Sequence, residues 1–255
     1  MSLTVTEALR KGVERAVTPV GAGLLVILLG ARVATAVVLD TRQPVLADAA
    51  NELSGDQILE SVQGPMAVDL PVAAVSALGL LGAFLTAAVV TLGFRAFTGD
   101  RPGRLPTDAW DGFAWATLNV LVAQILLSLL LGVGFVLFVL PGIIVAVAFA
   151  FVPAAIAVDD HHVVRAMLES WQTARGSLLR VFLLLLGIAA VSITVSLFGI
   201  VVGILLFGDG IGADIVTLAS GALVTIYVIG VIASAFDQLR SVDDEFEDVD
   251  DDLLP

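Results

Sequence analysis

Hydrophobic residues run through this chain in long blocks, with polar residues gathered between them. Val20 to Leu39 is apolar on every face, and so are residues 71–94, 113–158, 181–207 and 215–236. A helix in a soluble core keeps a polar face; a run that is apolar all round and about 20 residues long has the length and surface of a membrane crossing. The block 113–158 is the exception in length. As one helix it would extend ~69 Å, against a hydrocarbon core of ~30 Å. It must turn, and Pro141-Gly142 is its best breaker. The pattern predicts six spans at 20–39, 71–94, 113–139, 142–158, 181–207 and 215–236, with Pro153 kinking the short fourth one.

Two amphipathic stretches accompany the spans. Residues 3–17 place Leu9, Val13 and Val17 at helical spacing behind a candidate cap, Thr6. Residues 159–180 repeat apolar positions at Val163, Val164, Met167, Leu168 and Trp171, with Arg165, Glu169 and Gln172 opposite. Both read as helices lying along the interface, the second capped by Asp159 or Asp160, anchored by Trp171 and ended by Gly176. Part of the 40–69 loop, around 47–62, reads as helical.

Charge then orients the pattern. Ten of the twelve bases flank the same ends of the spans: Arg10, Lys11, Arg15, Arg95, Arg101, Arg104, Arg165, Arg175, Arg180 and Arg240. The opposite loops hold acids and one base, Arg42. Lys and Arg favour the cytoplasmic side of short loops, so both termini are expected in the cytoplasm of a multi-pass cell-membrane protein. The same rule requires 113–158 to cross twice, because a single crossing would put Arg165, Arg175 and Arg180 outside.

Composition narrows the chemistry. The chain is 58% hydrophobic with 255 residues, and its mean hydropathy is +1.03. The net charge of −13 leaves no basic surface for nucleic acid. With no cysteine, disulfides, thiolate metal sites and cysteine nucleophiles are excluded. One Lys against eleven Arg, with abundant acid, suggests a halophilic archaeon. The early basic residues resemble a signal peptide, but the apolar run behind them is longer than such a leader carries, so it reads as a retained span. The domains expected are a cytoplasmic amphipathic segment at 1–18, a six-span membrane domain at 19–239 and a disordered acidic cytoplasmic tail at 240–255.

Candidate chemistry is sparse. Arg32 is the one charge well inside a span, and such a residue is a functional candidate by default. It has three possible fates: a lipid phosphate, Asp214 at the start of span six, or snorkelling toward the surface. Asp159-Asp160-His161-His162 suggests a metal, but neighbouring side chains diverge, so capping and hydration are the expected roles and no metal or cofactor is assigned. Asn119, Gln124, Ser192, Thr194 and Ser196 are expected to bond between helices. Gly199 and Gly203 form a small-residue pair for close packing, inside the bundle or between protomers. Trp171, Arg175 and Arg180 suit lipid headgroups. No hydrolase, zinc-protease or nucleotide-binding signature appears.

The segment PGIIVAVAFAFVPAAIAVDDHHVVRAMLESWQTARGSLLRVF resembles a motif of uncharacterised polytopic proteins. They include the membrane domain attached to some glycerophosphodiester phosphodiesterases. Pro141, Gly142, Ile143, Pro153, Ala166, Ser170, Trp171, Arg175 and Gly176 carry the resemblance, over about 45 residues. It implies a six-span all-α fold, in a haloarchaeal version. Catalysis in those enzymes belongs to a separate soluble domain, for which this chain has no room. The expected protein is an all-α polytopic bundle without enzymatic activity, an accessory or organising component. Its expected partners are membrane lipids and either a membrane-protein partner or a second copy. A small transporter and a membrane-embedded lipid enzyme are the alternatives.

Overall fold

A computed structural model describes residues 4–54, 64–99, 102–137 and 139–251. Among them the regular structure is helical throughout: α1 (Val5–Ala16), α2 (Pro19–Ser54), α3 (Val72–Phe97), α4 (Phe113–Leu137), α5 (Val139–Ala148), α6 (Val152–Asp159), α7 (Val163–Arg175), α8 (Leu178–Phe207) and α9 (Ile211–Asp251). Six segments are long and apolar enough to cross a membrane: Pro19–Val45, Val72–Phe97, Phe113–Val136, Leu140–Asp159, Leu178–Phe207 and Ile211–Arg240. The all-α, six-segment architecture matches the hydropathy pattern.

The segments pack as antiparallel hairpins. In the α2–α3 hairpin, a Cβ on Gly82 would meet Thr35 and the Ala31 carbonyl at 3.0 and 3.1 Å. In the α8–α9 hairpin, Gly199 faces Ser220 and Gly203 faces the backbone of Ala213. Both glycines are buried, so the small-residue pair packs within the bundle. In the α4–α5 hairpin, Gly134 meets Gly142 backbone to backbone, and the Phe135 ring lies over Gly142. Without side chains at these points the helix axes approach closely, which is how helices associate where lipid removes any hydrophobic gain.

Several boundaries depart from the sequence reading. α4 is described to Leu137 and α5 from Val139, so Pro141 lies inside α5 rather than between the two helices. It occupies the first turn of α5, where a missing N–H costs nothing. The fourth crossing is two helices rather than one kinked helix. Pro153 stands near the start of α6, and the residue four before it, Phe149, is the first one outside α5. That is where a proline ring clashes and leaves a carbonyl free. The first helix does not stop at Leu39: α2 continues to Ser54 with Pro44 inside it. The loop then returns across it, with the Met66 and Val68 amides donating to Asp40 and Thr41. Of the helix expected around 47–62, residues 55–62 lie outside the described residues. At the other terminus α9 runs on to Asp251, into the acidic stretch for which no regular structure was expected.

Buried residues concentrate toward one end, the end that carries the arginine pairs described below. Ala87 to Phe94 of α3, Ala154 to Ala157 of α6, Val181, Leu184 and Ile188 of α8, and Ile226 to Phe236 of α9 build this core. The short α6 is its centre, with Val152, Ala154, Ala155, Ile156 and Ala157 all without exposure. The opposite halves of α4 and α8 expose large apolar side chains, among them Leu129, Val136, Ile193, Phe198 and Leu205.

Helix α1 is not a free interfacial helix. It buries Ala8, Gly12 and Arg15. Gly12 packs on Val231 and Gly230 of α9, and Leu9 reaches Gly187 of α8. Its N-cap is Thr4 rather than Thr6. The reason is the small-residue face: Ala8 and Gly12, one turn apart, let the helix seat on α9.

Candidate functional site

Two groups of polar residues carry candidate chemistry, one tying the basic end together and one deep in a span. In the first, Arg95 leaves the last turns of α3 with its side chain only 7% exposed. It donates from Nε to the Ala157 carbonyl at 2.7 Å and from Nη1 to Ala109 and Asp111 carbonyls at 2.6 and 2.8 Å. Its Nη2 pairs with Asp160 at 2.5 Å. Ala157 lies in the last turn of α6, where carbonyls lack helical partners and carry the negative end of the helix dipole. One guanidinium therefore satisfies α6 and the loop before α4 together. That loop can fold back because Gly103, at φ 88°, adopts a left-handed turn and donates its amide to Ala96 at 2.8 Å.

Two further pairs close the same end. Arg15 of α1 pairs with Asp237 of α9 at 3.0 Å, and Asp237 also accepts the Gly99 amide at 3.2 Å. Arg240 donates to both oxygens of Asp159, at 2.8 and 3.1 Å. Its guanidinium carbon stands 5.3 Å from the centroid of the Phe236 ring, in cation–π range. Asp159 and Asp160 thus meet arginines instead of capping α7. Its N-cap is His162, whose side chain makes no capping bond. A cleft of about 270 Å³ opens beside Arg95, lined by Thr98, Asp108, Asp111 and Asp160.

Sequence reasoning passed over Ser170 as chemistry. Its hydroxyl donates to the Ala148 carbonyl at 2.9 Å and accepts the Phe151 amide at 3.2 Å. It patches the break between α5 and α6, and it is fully buried. A break inside a membrane leaves backbone groups that need partners, and a serine supplies a donor and an acceptor in one atom. The signal was in the spacing: Ala166, Ser170 and Ala174 recur every four residues and form the buried face of α7. The large residues Val164, Leu168 and Trp171, expected to define its apolar face, are exposed at 63%, 60% and 41%. Arg175 and Arg180 are exposed beyond them. Gly176 does cap α7, but with φ −72° rather than in the left-handed conformation.

Asp159, His161 and Glu169 come together, their ligand atoms within 4.8 Å of one another. The sequence reading considered only neighbours along the chain; the turn into α7 brings Glu169 to 2.6 Å from His161 Nδ1. As a metal set these three are chemically suitable, with one nitrogen and two carboxylates. Each already has a partner, since Arg240 occupies Asp159 and Glu169 occupies His161.

Arg32 forms the second group. It neither reaches Asp214 nor follows its helix toward the surface. It crosses to α9, where Nη2 donates to the Thr225 hydroxyl at 2.6 Å. Asp214 lies eleven residues earlier on that helix, ~16 Å along its axis. Nη1 sits over Gly221, where a Cβ would come to 3.1 Å, and Nε is buried without a partner. Of the other polar residues expected to bond between helices, Asn119, Ser192 and Thr194 bond instead to carbonyls of their own helices, those of Trp115, Ile188 and Ala190, four residues back.

No curated protein and no solved structure matches the chain. A family model described as a domain of unknown function, DUF7847, matches residues 3–239, and the chain belongs to that family.

Proposed function

We propose that this protein is a multi-pass component of the cell membrane that works without catalysis, as an accessory or organising element, with its arginine-rich end in the cytoplasm. The observation that carries the reading is the use of its ionisable groups. At the basic end Arg15, Arg95 and Arg240 are each spent on joining two or more segments, and His161 is spent on Glu169. Acid–base chemistry needs groups held near a substrate and free to exchange protons. These groups form a clamp instead. The orientation rests on ten of twelve bases flanking this end. Exposed Trp171, Arg175 and Arg180 suit contact with headgroups there. Kinship with the membrane domain of glycerophosphodiester phosphodiesterases rests on the motif from Pro141 to Gly176, and a haloarchaeal source rests on composition.

The test is reconstitution of the full chain in vesicles. Hydrolysis of glycerophosphodiesters and phospholipids, and flux of small anions, are expected to stay at background. Hydrolysis that falls in Glu169→Gln would establish a membrane-embedded enzyme. Flux that falls in Arg32→Leu would establish a transporter, the reading that a charge deep in a span favours. For orientation, the absence of cysteine permits single-site labelling. An impermeant maleimide should label Asp209→Cys in intact cells and Thr107→Cys only after permeabilisation; the reverse pattern overturns the topology.

A further inference from the structure

Arg32 lies 13 residues from each end of its apolar segment, Pro19–Val45. That is ~20 Å from either end along the axis. Its anchor Thr225 is also mid-segment, 14 and 15 residues from the ends of Ile211–Arg240. Eight residues, ~12 Å along the axis, separate Arg32 from Asp40, and its bond to Thr225 holds the guanidinium sideways inside the apolar stretch rather than at its edge. Among the described residues it forms no ion pair; Thr225 supplies one neutral hydroxyl and Nε has nothing. Leu28, Ala31 and Ile226 nearby are apolar and buried. A charge at this depth is retained when something neutralises it.

We infer that Arg32 is the docking point for a partner transmembrane helix carrying a carboxylate near the middle of its own span. This rests on the accessory reading above and names the kind of partner. Three observations select the occupant. The side chain is tied to α9 rather than directed along α2, so a lipid phosphate at the membrane edge lies beyond its reach. A second copy of this chain has no matching acid: in the six segments the acids are Asp40, Asp159, Asp214 and Asp237, each within five residues of a segment end. Arg32 is only partly buried, and Gly221 leaves α9 without a side chain beside Nη1. A helix arriving against α2 and α9 can thus approach the exposed part of the guanidinium.

The probe is a polyleucine transmembrane peptide with one central Asp, measured by energy transfer to the labelled full chain in phosphatidylcholine vesicles. Association is expected to be about ten-fold tighter than for the all-leucine peptide, the size of one or two kcal/mol of interhelical polar contact. Moving the Asp to the peptide end, or making Arg32→Leu, should remove the difference, whereas Arg32→Lys should retain most of it. Equal binding of both peptides to the wild type overturns the inference, as does a preference that persists in Arg32→Leu. So does displacement of the Asp peptide by phosphatidylglycerol or by inorganic phosphate, which would make a phosphate the occupant. Failure of the peptide with background turnover and flux sinks this inference alone; turnover or flux sinks the accessory reading.

Discussion

The fourth and fifth crossings are almost equally apolar, yet they live in different surroundings. In the most apolar stretch of Leu140–Asp159, 50% of the residues are buried; in that of Leu178–Phe207, 17% are. The difference is side-chain size. The α6 half of the fourth crossing offers Ala154, Ala155 and Ala157, against which α3, α4, α7 and α9 close. The far half of α8 offers Ile193, Leu197, Phe198, Val201 and Leu205, and leaves them exposed. In water a large apolar side chain gains by burial, whereas in lipid it does not, so helices meet where small residues allow contact and where polar groups require partners. Hydropathy locates both crossings and cannot rank them.

The sharpest way to break the contrast is at Arg95. Arg95→Leu strands the carbonyls of Ala157, Ala109 and Asp111 and leaves Asp160 unpaired. A loss of roughly 3 kcal/mol is expected in thermal or denaturant unfolding in detergent, with Arg95→Lys recovering part of it. A loss under about 0.5 kcal/mol would mean that the basic end is not the clamped end.

Ser170→Ala against Ser192→Ala tests the two crossings directly. The first frees a carbonyl and an amide at the α5–α6 break and should cost about 1–3 kcal/mol. The second removes a bond that Ser192 makes to its own helix, at Ile188, and should cost a few tenths. Equal losses would erase the distinction between a patched break and an ordinary lipid-facing helix.

Glycine gives the finest comparison. Gly203→Ala places a methyl 2.9 Å from the Ala213 carbonyl and should loosen the α8–α9 hairpin by about 1 kcal/mol. Gly132→Ala meets nothing within 4 Å and should be neutral, or stabilise α4 by up to about 0.5–1 kcal/mol through helix propensity. Opposite signs in the same unfolding assay are expected; matching signs would show that the two hairpins do not differ.

Much of the architecture was readable because length and periodicity follow from the solvent. A segment must cover the hydrocarbon with its backbone bonds made internally, so the spans, their number and the double crossing of 113–158 appear in one dimension. Breaks were harder to place. Pro141 and Pro153 signalled them, but Pro141 lies inside α5 and the chain parts at Phe149, because proline disturbs the preceding turn. The site was least legible. Arg32 stood out as a charge among apolar residues, whereas Thr225 as its partner could not be found from a position 193 residues away. Glu169 next to His161 and Ser170 across the α5–α6 break depend likewise on how α7 folds back.

The sequence by itself determined an all-α chain with six crossings, and the grouping of its bases at one set of loop ends. Those properties are sums over local residues set against a uniform solvent. Only the tertiary structure decided that α1 packs into the bundle, that α6 is its centre and that the arginines of the basic end lock to Asp159, Asp160 and Asp237. It also decided that Arg32 has a hydroxyl and, among the described residues, no carboxylate. Pairing depends on which helices are neighbours, and that follows from small-residue contacts too weak and too dispersed to be recognised one residue at a time.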